Sequence, residues 1–520
     1  MKRILTILLL AATLTSWAAE KPRLVVQIVV GSMRVGDLER YEAQFCEGGF
    51  RRLMHNSRYY KEAAYLFQQT TTPATLSTLA TGANPSMHGI VGTSWQDYTT
   101  NLAVDLIDGR RGPGGYHLVV PTLSDALQRQ HPTAHTVSLA LDAEAAILLG
   151  GRTHNVYWVE PETAEWGSSL YYTQSIPEWL AQGNREGFNI AYLLPYWQQL
   201  LHQEQYLNTR SFDIRKNTGA KRSVPAEGLR RLTPRSYIER LRYTPAGNTA
   251  VLAFAKQAIA QHHMGTDEVP DLINIYLDTP RYISEVYGPE SIEVEDMYYR
   301  LDRDLSDFLT FLYAQVKPEE CIVVLTSDHG TSHSFDLDAE HPAERFNAHQ
   351  FRVIANGFLN VRYGSGHWVL GFQNQALYLN HTLIYERNLD LARLQNELAI
   401  FALQFSGVSH AMAASDLRSA YFADGYAHRM QNSFYARRSG DVLLNLMPGL
   451  IIEEEGRCSA SGSMYGYDAE VPLLISGGGI TPGHHHEPID MTSLAPTVAQ
   501  LLGIHEPDAA EGRPLDLSTE

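Results

Sequence analysis

The segment Arg23-Leu-Val-Val-Gln-Ile-Val-Val30 is an almost unbroken apolar run near the start of the chain. Such a run is typical of a strand that is buried on both faces, as in the middle of a parallel sheet. Comparable runs alternate with segments of helical periodicity, at residues 136–141, 272–278, 321–327 and 471–476. This alternation predicts an α/β fold, in which a mostly parallel central sheet is sandwiched between helices.

The carboxyl ends of these predicted strands are the places to look for function, because ligands of such sheets bind there. The residues that follow the runs are Gly31, 142–144, 280–285 and Asp328-His329. Two packing helices are also clear. One begins near Ser291, and the other covers residues 495–502 and is closed by Gly503.

The stretch Thr70-Thr-Thr-Pro-Ala-Thr-Leu-Ser-Thr-Leu-Ala-Thr-Gly82 reads as a loop that runs into a helix. Thr72 is predicted as the N-cap, Pro73 as the first helical residue and Gly82 as the left-handed residue that ends the helix. A hydroxyl at this position lies beside the positive end of the helix dipole, where anions bind. Thr72 is therefore either a nucleophile for phosphoryl transfer or only a cap.

Composition restricts the partners and the compartment. The formal net charge of −17 argues against nucleic acid or an anionic membrane as the main partner. Residues 1–18 have the pattern of a secretory signal peptide, with Lys2-Arg3, an apolar run and Ser16-Trp17-Ala18 as a cleavage site. The apolar run is shorter than the roughly 20 residues that a membrane span needs. We therefore expect an exported protein, periplasmic or secreted, without a membrane span.

The remaining chain, residues 19–520, is interpreted as one domain with two insertions. Residues 151–250 and 335–440 are rich in Trp, Tyr, Gln and His and only weakly periodic, and we expect them to cap the crevice. The three cysteines, Cys46, Cys321 and Cys458, are too few for a disulfide framework, and Cys321 is predicted to be a buried free thiol. The histidines 484–486 are predicted to lie in a solvated loop.

Several segments together resemble the alkaline phosphatase superfamily. The resemblance is strongest to bacterial phosphate-irrepressible alkaline phosphatases and to nucleotide pyrophosphatase/phosphodiesterases. The matching segments occur in family order and span nearly the whole chain, at 24–34, 48–53, 70–92, 171–180, 244–259, 288–309, 324–330, 438–441, 467–479 and 491–503. The family fold implies two zinc ions, one activating the threonine oxygen and the other stabilising the leaving oxygen.

Only part of the family's site is present in this sequence. By resemblance, Thr72 stands at the nucleophile position, and Asp328 and His329 stand at two metal-ligand positions. The other family positions are altered: Gly31 for Asp, Arg281 for Asp, Glu285 for His, Ser461 for His, Thr93 for the Asn that contacts phosphate, and Asp142 and Glu144 for the Lys and Arg that clamp it. Since zinc takes about four ligands, we expect no zinc at full occupancy.

The altered positions also reverse the charge of the site. Asp142 and Glu144 replace two cations by two acids, which would repel a phosphate dianion unless cations intervene. Arg281 introduces a cation where a metal ligand would stand, and we expect it to pair with Asp328, Asp142 or Glu144. Asp37 lies six residues beyond Gly31, and is either a replacement for the missing first-strand ligand or a surface carboxylate.

Three functional hypotheses follow from these residues. The first is a catalytically impaired or inactive exported protein with a binding or structural role, whose partner is an unknown protein or a cationic or neutral small molecule. The alternative is a phosphomonoesterase or phosphodiesterase that uses Thr72 and one zinc ion on Asp328, His329 and an acid such as Glu144. A third is a different hydrolase chemistry that uses the acids Asp142, Glu144 and Glu285.

Overall fold

The computed structural model describes residues 21–186, 197–209, 234–334, 345–452 and 457–517. The predicted signal peptide and parts of both predicted insertions lie outside these ranges. Within the described ranges, no helix is both long and apolar enough to cross a membrane.

The strands, in chain order, are β1 (Leu24–Val30), β2 (Ser57–Ala64), β3 (Ser94–Gln96), β4 (Ala103–Asp105), β5 (Thr136–Leu139), β6 (Asn155–Glu160), β7 (Glu165–Gly167), β8 (Asp271–Leu277), β9 (Cys321–Ser327), β10 (Arg345–Phe346), β11 (Val369–Gln373), β12 (Ala376–Leu379), β13 (Val408–Ala413), β14 (Val442–Leu446), β15 (Ile451–Ile452), β16 (Glu470–Gly477), β17 (Gly483–His485) and β18 (Ile489–Asp490).

The described helices are α1 (Asp37–Tyr41), α2 (Phe50–Asn56), α3 (Thr72–Thr81), α4 (Pro85–His88), α5 (Leu123–Gln130), α6 (Ala143–Gly150), α7 (Glu178–Glu186), α8 (Pro234–Arg242), α9 (Ala246–Gln261), α10 (Thr279–Tyr287), α11 (Ile292–Gln315), α12 (Ala348–Tyr363), α13 (His381–Glu386), α14 (Leu391–Ala402), α15 (Ala414–Ser419), α16 (Gly425–Ser433), α17 (Gly466–Ala469) and α18 (Leu494–Leu502).

The central sheet has ten strands in the order β17-β2-β16-β9-β1-β8-β5-β6-β7, with β18 also paired to β2. Strand β1 lies in the middle and pairs in parallel with both β8 and β9. The pairs β5–β8 and β5–β6 are parallel as well. The predicted mostly parallel sheet is therefore confirmed. Strand β16 is antiparallel to β9, a direction that an apolar run alone does not reveal.

Helices cover both faces of this sheet, as predicted. On one face, α9 and α11 bury their apolar stripes against β1, β8 and β9. On the other face, α3, α6 and α18 pack against the same strands. The hydroxyl of Ser291 accepts a hydrogen bond from the Val294 N–H at 3.2 Å, which fixes the start of α11 where the sequence predicted it. Gly503, with φ of 68°, ends α18.

A second, four-stranded antiparallel sheet, in the order β11-β12-β14-β13, has a hydrophobic core of its own with α12 and α14. The tight turn between β11 and β12 places Asn374 and Gln375 at positive φ, 51° and 50°. The side chain of Asn374 donates to the Ser94 carbonyl at 2.7 Å. This turn therefore joins the second sheet to the first residue of β3.

Two smaller predictions have different outcomes. Cys321 is fully buried and is not in a disulfide, as predicted. The solvated loop predicted for the three histidines is partly wrong, because Gly483–His485 forms the edge strand β17 beside β2. His484 and His486 are nevertheless exposed, as predicted. The His485 ring lies 5.4 Å from that of Tyr60. A three-residue edge strand carries too little pattern to be seen in sequence.

Candidate functional site

A cleft of about 640 Å³ opens beside the carboxyl ends of the central strands. The candidate residues among its lining are Thr72, Thr93, Asp142, Glu144, Arg281, Glu285 and Ser461. Asp328 and His329 are fully buried beneath it, and Gly31 ends β1. The structure thus brings together residues that are as much as 430 positions apart in the sequence. Thr93 is at an exposed part of the wall.

The side chain of Thr72 points toward Asp328 and His329, and not toward the backbone of its own helix. Its hydroxyl donates to Asp328 Oδ2 at 2.8 Å and lies 3.1 Å from His329 Nε2. The predicted N-cap role of Thr72 is wrong, because Thr71 occupies the cap and Thr72 is the first helical residue, which makes Pro73 the second and not the first. Gly82 ends the helix in the left-handed conformation, as predicted. The Thr72 hydroxyl therefore donates to a buried carboxylate, and does not accept from the free N–H groups of the first helical turn.

Asp328 is held entirely by hydrogen bonds from protein groups. Besides the Thr72 hydroxyl, Oδ2 accepts from the Tyr276 hydroxyl at 2.8 Å. Oδ1 accepts from the backbone N–H of Ser32 and of His329, both at 2.9 Å. Ser32 has a φ of 58°, an unusual value for a residue other than glycine. These four donors satisfy the buried carboxylate without a metal ion.

His329 faces hydroxyl groups on the side of Thr72. Its Nδ1 lies 2.6 Å from the Gly330 carbonyl, which fixes the proton on Nδ1. Its Nε2 lies 3.1 Å from the Thr72 oxygen and 3.2 Å from both Asp328 Oδ2 and the Ser461 hydroxyl. Because the Thr72 hydroxyl donates its single proton to Asp328, Ser461 is the hydroxyl that can donate to Nε2. Ser461, which the resemblance places at a metal-ligand position, thus offers a hydrogen-bond donor.

Gly31 leaves no room for the first-strand ligand of the family. A Cβ atom placed on Gly31 would lie 2.9 Å from the Cβ of Arg281, 3.0 Å from the Tyr276 hydroxyl and 3.2 Å from the Leu277 carbonyl. Contacts this short force the neighbours to move. The space beside Gly31 is therefore closed by Arg281 and Tyr276.

Arg281 lies in a network of charges. Its guanidinium is 3.5 Å from Asp142 Oδ2 and 3.4 Å from Glu285 Oε1, and it lies 4.3 Å from the centre of the Tyr282 ring. Of the three acids proposed as partners for Arg281, the structure gives it Asp142. Asp328 pairs instead with the hydroxyls of Thr72 and Tyr276.

Three members of this network were not foreseen. Arg242, at the end of α8, forms an ion pair with Asp142 Oδ1. Tyr282 donates its hydroxyl to Asp142 Oδ2 at 2.5 Å, and Arg457 lies 3.7 Å from Glu285. Arg242 follows a stretch with weak periodicity, and only its position near the matching segment at 244–259 could have drawn attention to it.

Asp142 and Glu144, which the resemblance places at the phosphate clamp, do not present two free negative charges, because cations intervene. Asp142 carries two arginine partners. Burial, reinforced by the Asp142 carboxylate, raises the pKa of Glu144 to about 8, and Arg281 only partly opposes this. Glu144 is therefore mostly protonated at neutral pH. Asp142 and Glu144 thus repel an anion less than their residue types suggest.

Replacement of Glu144 by Gln is expected to stabilise the protein at alkaline pH. Because the pKa is higher in the folded than in the unfolded chain, the wild type loses stability as pH rises from about 4.5 to 8. Each pKa unit corresponds to about 1.4 kcal/mol, and with a discount for partial exposure we expect a gain of roughly 3 kcal/mol at pH 9. Urea denaturation of the wild type and of Glu144→Gln at pH 5 and pH 9 measures this difference in the free energy of unfolding.

The matched control is Glu165→Gln, at an exposed carboxyl in β7. This variant should follow the wild type at both pH values. A Glu144→Gln variant that is less stable than the wild type at pH 9 would contradict the prediction.

Asp37 is neither a surface carboxylate nor a replacement ligand. It is 4% exposed, its Oδ1 lies 3.1 Å from an Arg34 terminal nitrogen, and its Oδ2 accepts from the Tyr298 hydroxyl at 3.3 Å. Burial raises the pKa of Asp37 while Arg34 opposes this. Both interpretations of Asp37 are therefore wrong, since its carboxylate pairs with Arg34, in the loop before α1, and with Tyr298 on α11.

The donor set does not fit the two zinc ions of the family. Across the described ranges, no group of three or more His, Cys, Asp or Glu side chains is arranged to hold a metal ion. At the altered positions, Gly31 has no side chain, Arg281 is a cation, and Ser461 offers a neutral hydroxyl. Asp328 and His329 supply only two of the roughly four ligands that zinc requires.

Comparison with known proteins agrees with this fold. The chain is 28% identical over 518 residues to alkaline phosphatase PafA of Elizabethkingia meningoseptica, covering 96% of this chain and 94% of the relative. It is 29% identical over 534 residues to a protein of Myroides odoratus named calcium-transporting ATPase, covering 98% and 97%.

A crystal structure of wild-type PafA superposes with a TM-score of 0.86 at 28% identity, covering 95% of this chain and 98% of that one. The profile of the family described as type I phosphodiesterase / nucleotide pyrophosphatase matches residues 25–468. The chain therefore belongs to the type I phosphodiesterase / nucleotide pyrophosphatase family, within the alkaline phosphatase superfamily.

Proposed function

We propose that this protein is an exported, catalytically inactive member of the superfamily that uses the former catalytic cleft to bind another molecule. The observation that carries the proposal is the place of Arg281. Its guanidinium pairs with Asp142 and Glu285, and its Cβ closes the space beside Gly31. A cation at this point opposes a metal ion by charge and by volume.

Export is proposed from the pattern of residues 1–18, and the charge of −17 disfavours nucleic acid as a partner. Determination of the amino terminus of protein secreted or released from the periplasm tests this part. Cleavage after Ala18 is the expected result, and retention of the full chain in the cytoplasm would overturn it.

Zinc content and phosphoester hydrolysis test the central claim. The purified protein is equilibrated with excess zinc, freed of unbound ion and measured by mass spectrometry. We expect less than about a tenth of a zinc ion per chain, because two of about four ligands bind weakly. On the same sample, an aryl phosphate and an aryl phosphodiester should not be hydrolysed, with PafA assayed in parallel as the positive control.

The alternative, a hydrolase with one zinc ion, has its own support in the structure. The Thr72 hydroxyl, Asp328 Oδ2 and His329 Nε2 lie within 3.2 Å of one another. One or two tightly held zinc ions, with turnover that is lost in Thr72→Ala, would establish this alternative and overturn inactivity. Turnover without zinc that is lost in Glu144→Gln would instead favour the chemistry based on acids.

A further inference from the structure

A second cavity, separate from the cleft, opens beside the first residues of β6. Its volume is about 390 Å³, and none of the residues that line it also lines the cleft. Cavities that hold small molecules typically have volumes of about 300–1,000 Å³. The walls come from Arg111, from the start of β6 and from the segment 170–177. We call this cavity the side pocket.

The side pocket carries a permanent positive charge and no negative one. Arg111 lines it, whereas no Asp or Glu is among its described lining residues. This is a notable exception in a chain with a formal net charge of −17. Arg111 is exposed, and its guanidinium has no ion-pair or hydrogen-bond partner within the described part of the chain. Its N–H donors are therefore available to an anion from solution.

Contacts with the pocket wall hold the backbone of Arg111 in place. Its N–H donates to the Tyr116 hydroxyl at 2.9 Å, and the Tyr116 ring lies 4.6 Å from the ring of Tyr171, which lines the pocket. A Cβ on Gly114 would lie only 2.5 Å from Tyr171 Cγ, so glycine allows this loop to approach the wall closely. The position of Arg111 is therefore set before a ligand arrives, which lowers the cost of binding.

The other polar groups of the side pocket are amides, a hydroxyl and an imidazole. His154 Nδ1 lies 3.3 Å from the Tyr172 carbonyl, so Nδ1 carries the proton and Nε2 remains as an acceptor. Asn155 Oδ1 accepts from the Tyr157 hydroxyl at 3.4 Å, which leaves the amide nitrogen as a donor. Gln174 is exposed, and its amide has no partner in the described ranges. These groups can both donate to hydroxyl groups and accept from them.

Apolar surface completes the side pocket. Leu170 is 58% exposed, while Tyr171 and Pro177 are half-buried, and all three line the pocket. An exposed apolar side chain gains free energy when a ligand removes it from water. The pocket thus combines one arginine, neutral hydrogen-bonding groups and an apolar surface.

We propose that the side pocket binds a sugar acid, a pyranose ring that carries one carboxylate. The carboxylate pairs with Arg111, the hydroxyl groups bond to Asn155 and Gln174, and the C–H face of the ring covers Leu170 and Tyr171. The planar guanidinium matches the two oxygens of a carboxylate, and its single charge balances that of the ligand. A phosphate monoester carries up to two charges at neutral pH, of which Arg111 balances one.

This inference goes beyond the binding role proposed for the cleft and does not depend on it. The test uses three probes at pH 7.5 and low salt: methyl glucuronoside, methyl glucoside and cyclohexanecarboxylate. Isothermal titration calorimetry and saturation-transfer NMR report binding. We expect methyl glucuronoside to bind at least about tenfold more tightly than either of the others, because the glucoside lacks the charge and cyclohexanecarboxylate lacks the hydroxyl groups. Equal binding of either comparison probe, or no binding of methyl glucuronoside, would overturn the inference.

Two neighbouring arginines provide a matched pair of variants. Arg111→Gln should weaken the binding of methyl glucuronoside at least about tenfold and remove its advantage over the glucoside. Arg110→Gln makes the same change of charge at an adjacent exposed residue that does not line the pocket, and should bind as the wild type does. An equal loss in both variants would indicate attraction by charge alone and would overturn the proposed site.

Gln174→Ala tests the hydroxyl contacts separately. It should weaken methyl glucuronoside about threefold and leave cyclohexanecarboxylate unchanged, since one neutral hydrogen bond is lost. Equal weakening of both probes would contradict the assigned role of Gln174. Because Arg111 and Gln174 are exposed, both variants are expected to fold, which equal thermal midpoints would verify. Zinc content and phosphoester hydrolysis test the cleft and not the side pocket, so failure of either proposal is distinguishable from failure of the other.

Discussion

Replacement of Arg281 by Met is expected to lower the free energy of unfolding by about 3 kcal/mol. Methionine replaces the aliphatic part of the arginine side chain, but removes the guanidinium that faces Asp142 and Glu285 and lies over the Tyr282 ring. Breaking a buried ion pair typically costs about 3–5 kcal/mol, because the acid is left without its partner. The lower value is expected, since Arg242 still pairs with Asp142.

Urea denaturation at pH 7 gives this difference. The matched control is Arg393→Met, at an exposed ion pair with Glu397, where only a small change is expected. A variant of Arg281 as stable as the wild type would show that the network is incidental, and would remove the main argument for a cleft rebuilt around charge pairs.

Restoring a single family ligand is expected to harm the protein and not to recruit zinc. In Gly31→Asp the new side chain meets Arg281 Cβ and the Tyr276 hydroxyl at 3.0 Å or less from its first atom. Overpacking costs about 1–3 kcal/mol, and a second buried carboxylate near Asp328 adds to this. We expect the free energy of unfolding to fall by about 3 kcal/mol. The thermal midpoint of the variant should be the same in the presence and absence of zinc.

The variant to compare with it is a quadruple variant that carries Gly31→Asp, Arg281→Asp, Glu285→His and Ser461→His together. With Asp328, His329 and Thr72 already present, it has the complete donor set that the resemblance assigns to the family, and zinc should raise its thermal midpoint. At a thousandfold excess over Kd the stabilisation is about 4 kcal/mol, or roughly 4 °C for a chain of about 500 residues. Zinc stabilisation of the single variant would contradict our assignment of the altered positions.

The sequence was most informative where hydrophobic pattern decides structure. The run before Gly31 and the runs at 272–278 and 321–327 each form a strand of the central sheet, because a segment that is apolar on both faces has few other places to lie. The direction of each strand and the strands at the edge of the sheet were harder to predict from the sequence. Strand β2 alternates little and carries Arg58 and Lys61, so it was not predicted. The run at 471–476 does form β16, but its antiparallel direction beside β2 could not be read from the pattern.

The sequence was also informative about only part of the candidate site. Resemblance located Thr72, Asp328 and Arg281, and the structure places the first two in direct contact. It gave no indication of Arg242 or Tyr276, because their roles depend on contacts between distant segments. The protonation of Glu144 likewise depends on burial beside Asp142, which residue type alone does not reveal.

The double pairing of Asp142 with Arg242 and Arg281 also limits how this lineage can change. An arginine without the acid, or the acid without either arginine, leaves a charge stranded away from water. A single substitution at any of the three positions is therefore expected to destabilise the protein. We expect these three side chains to tolerate change only together, as coupled substitutions.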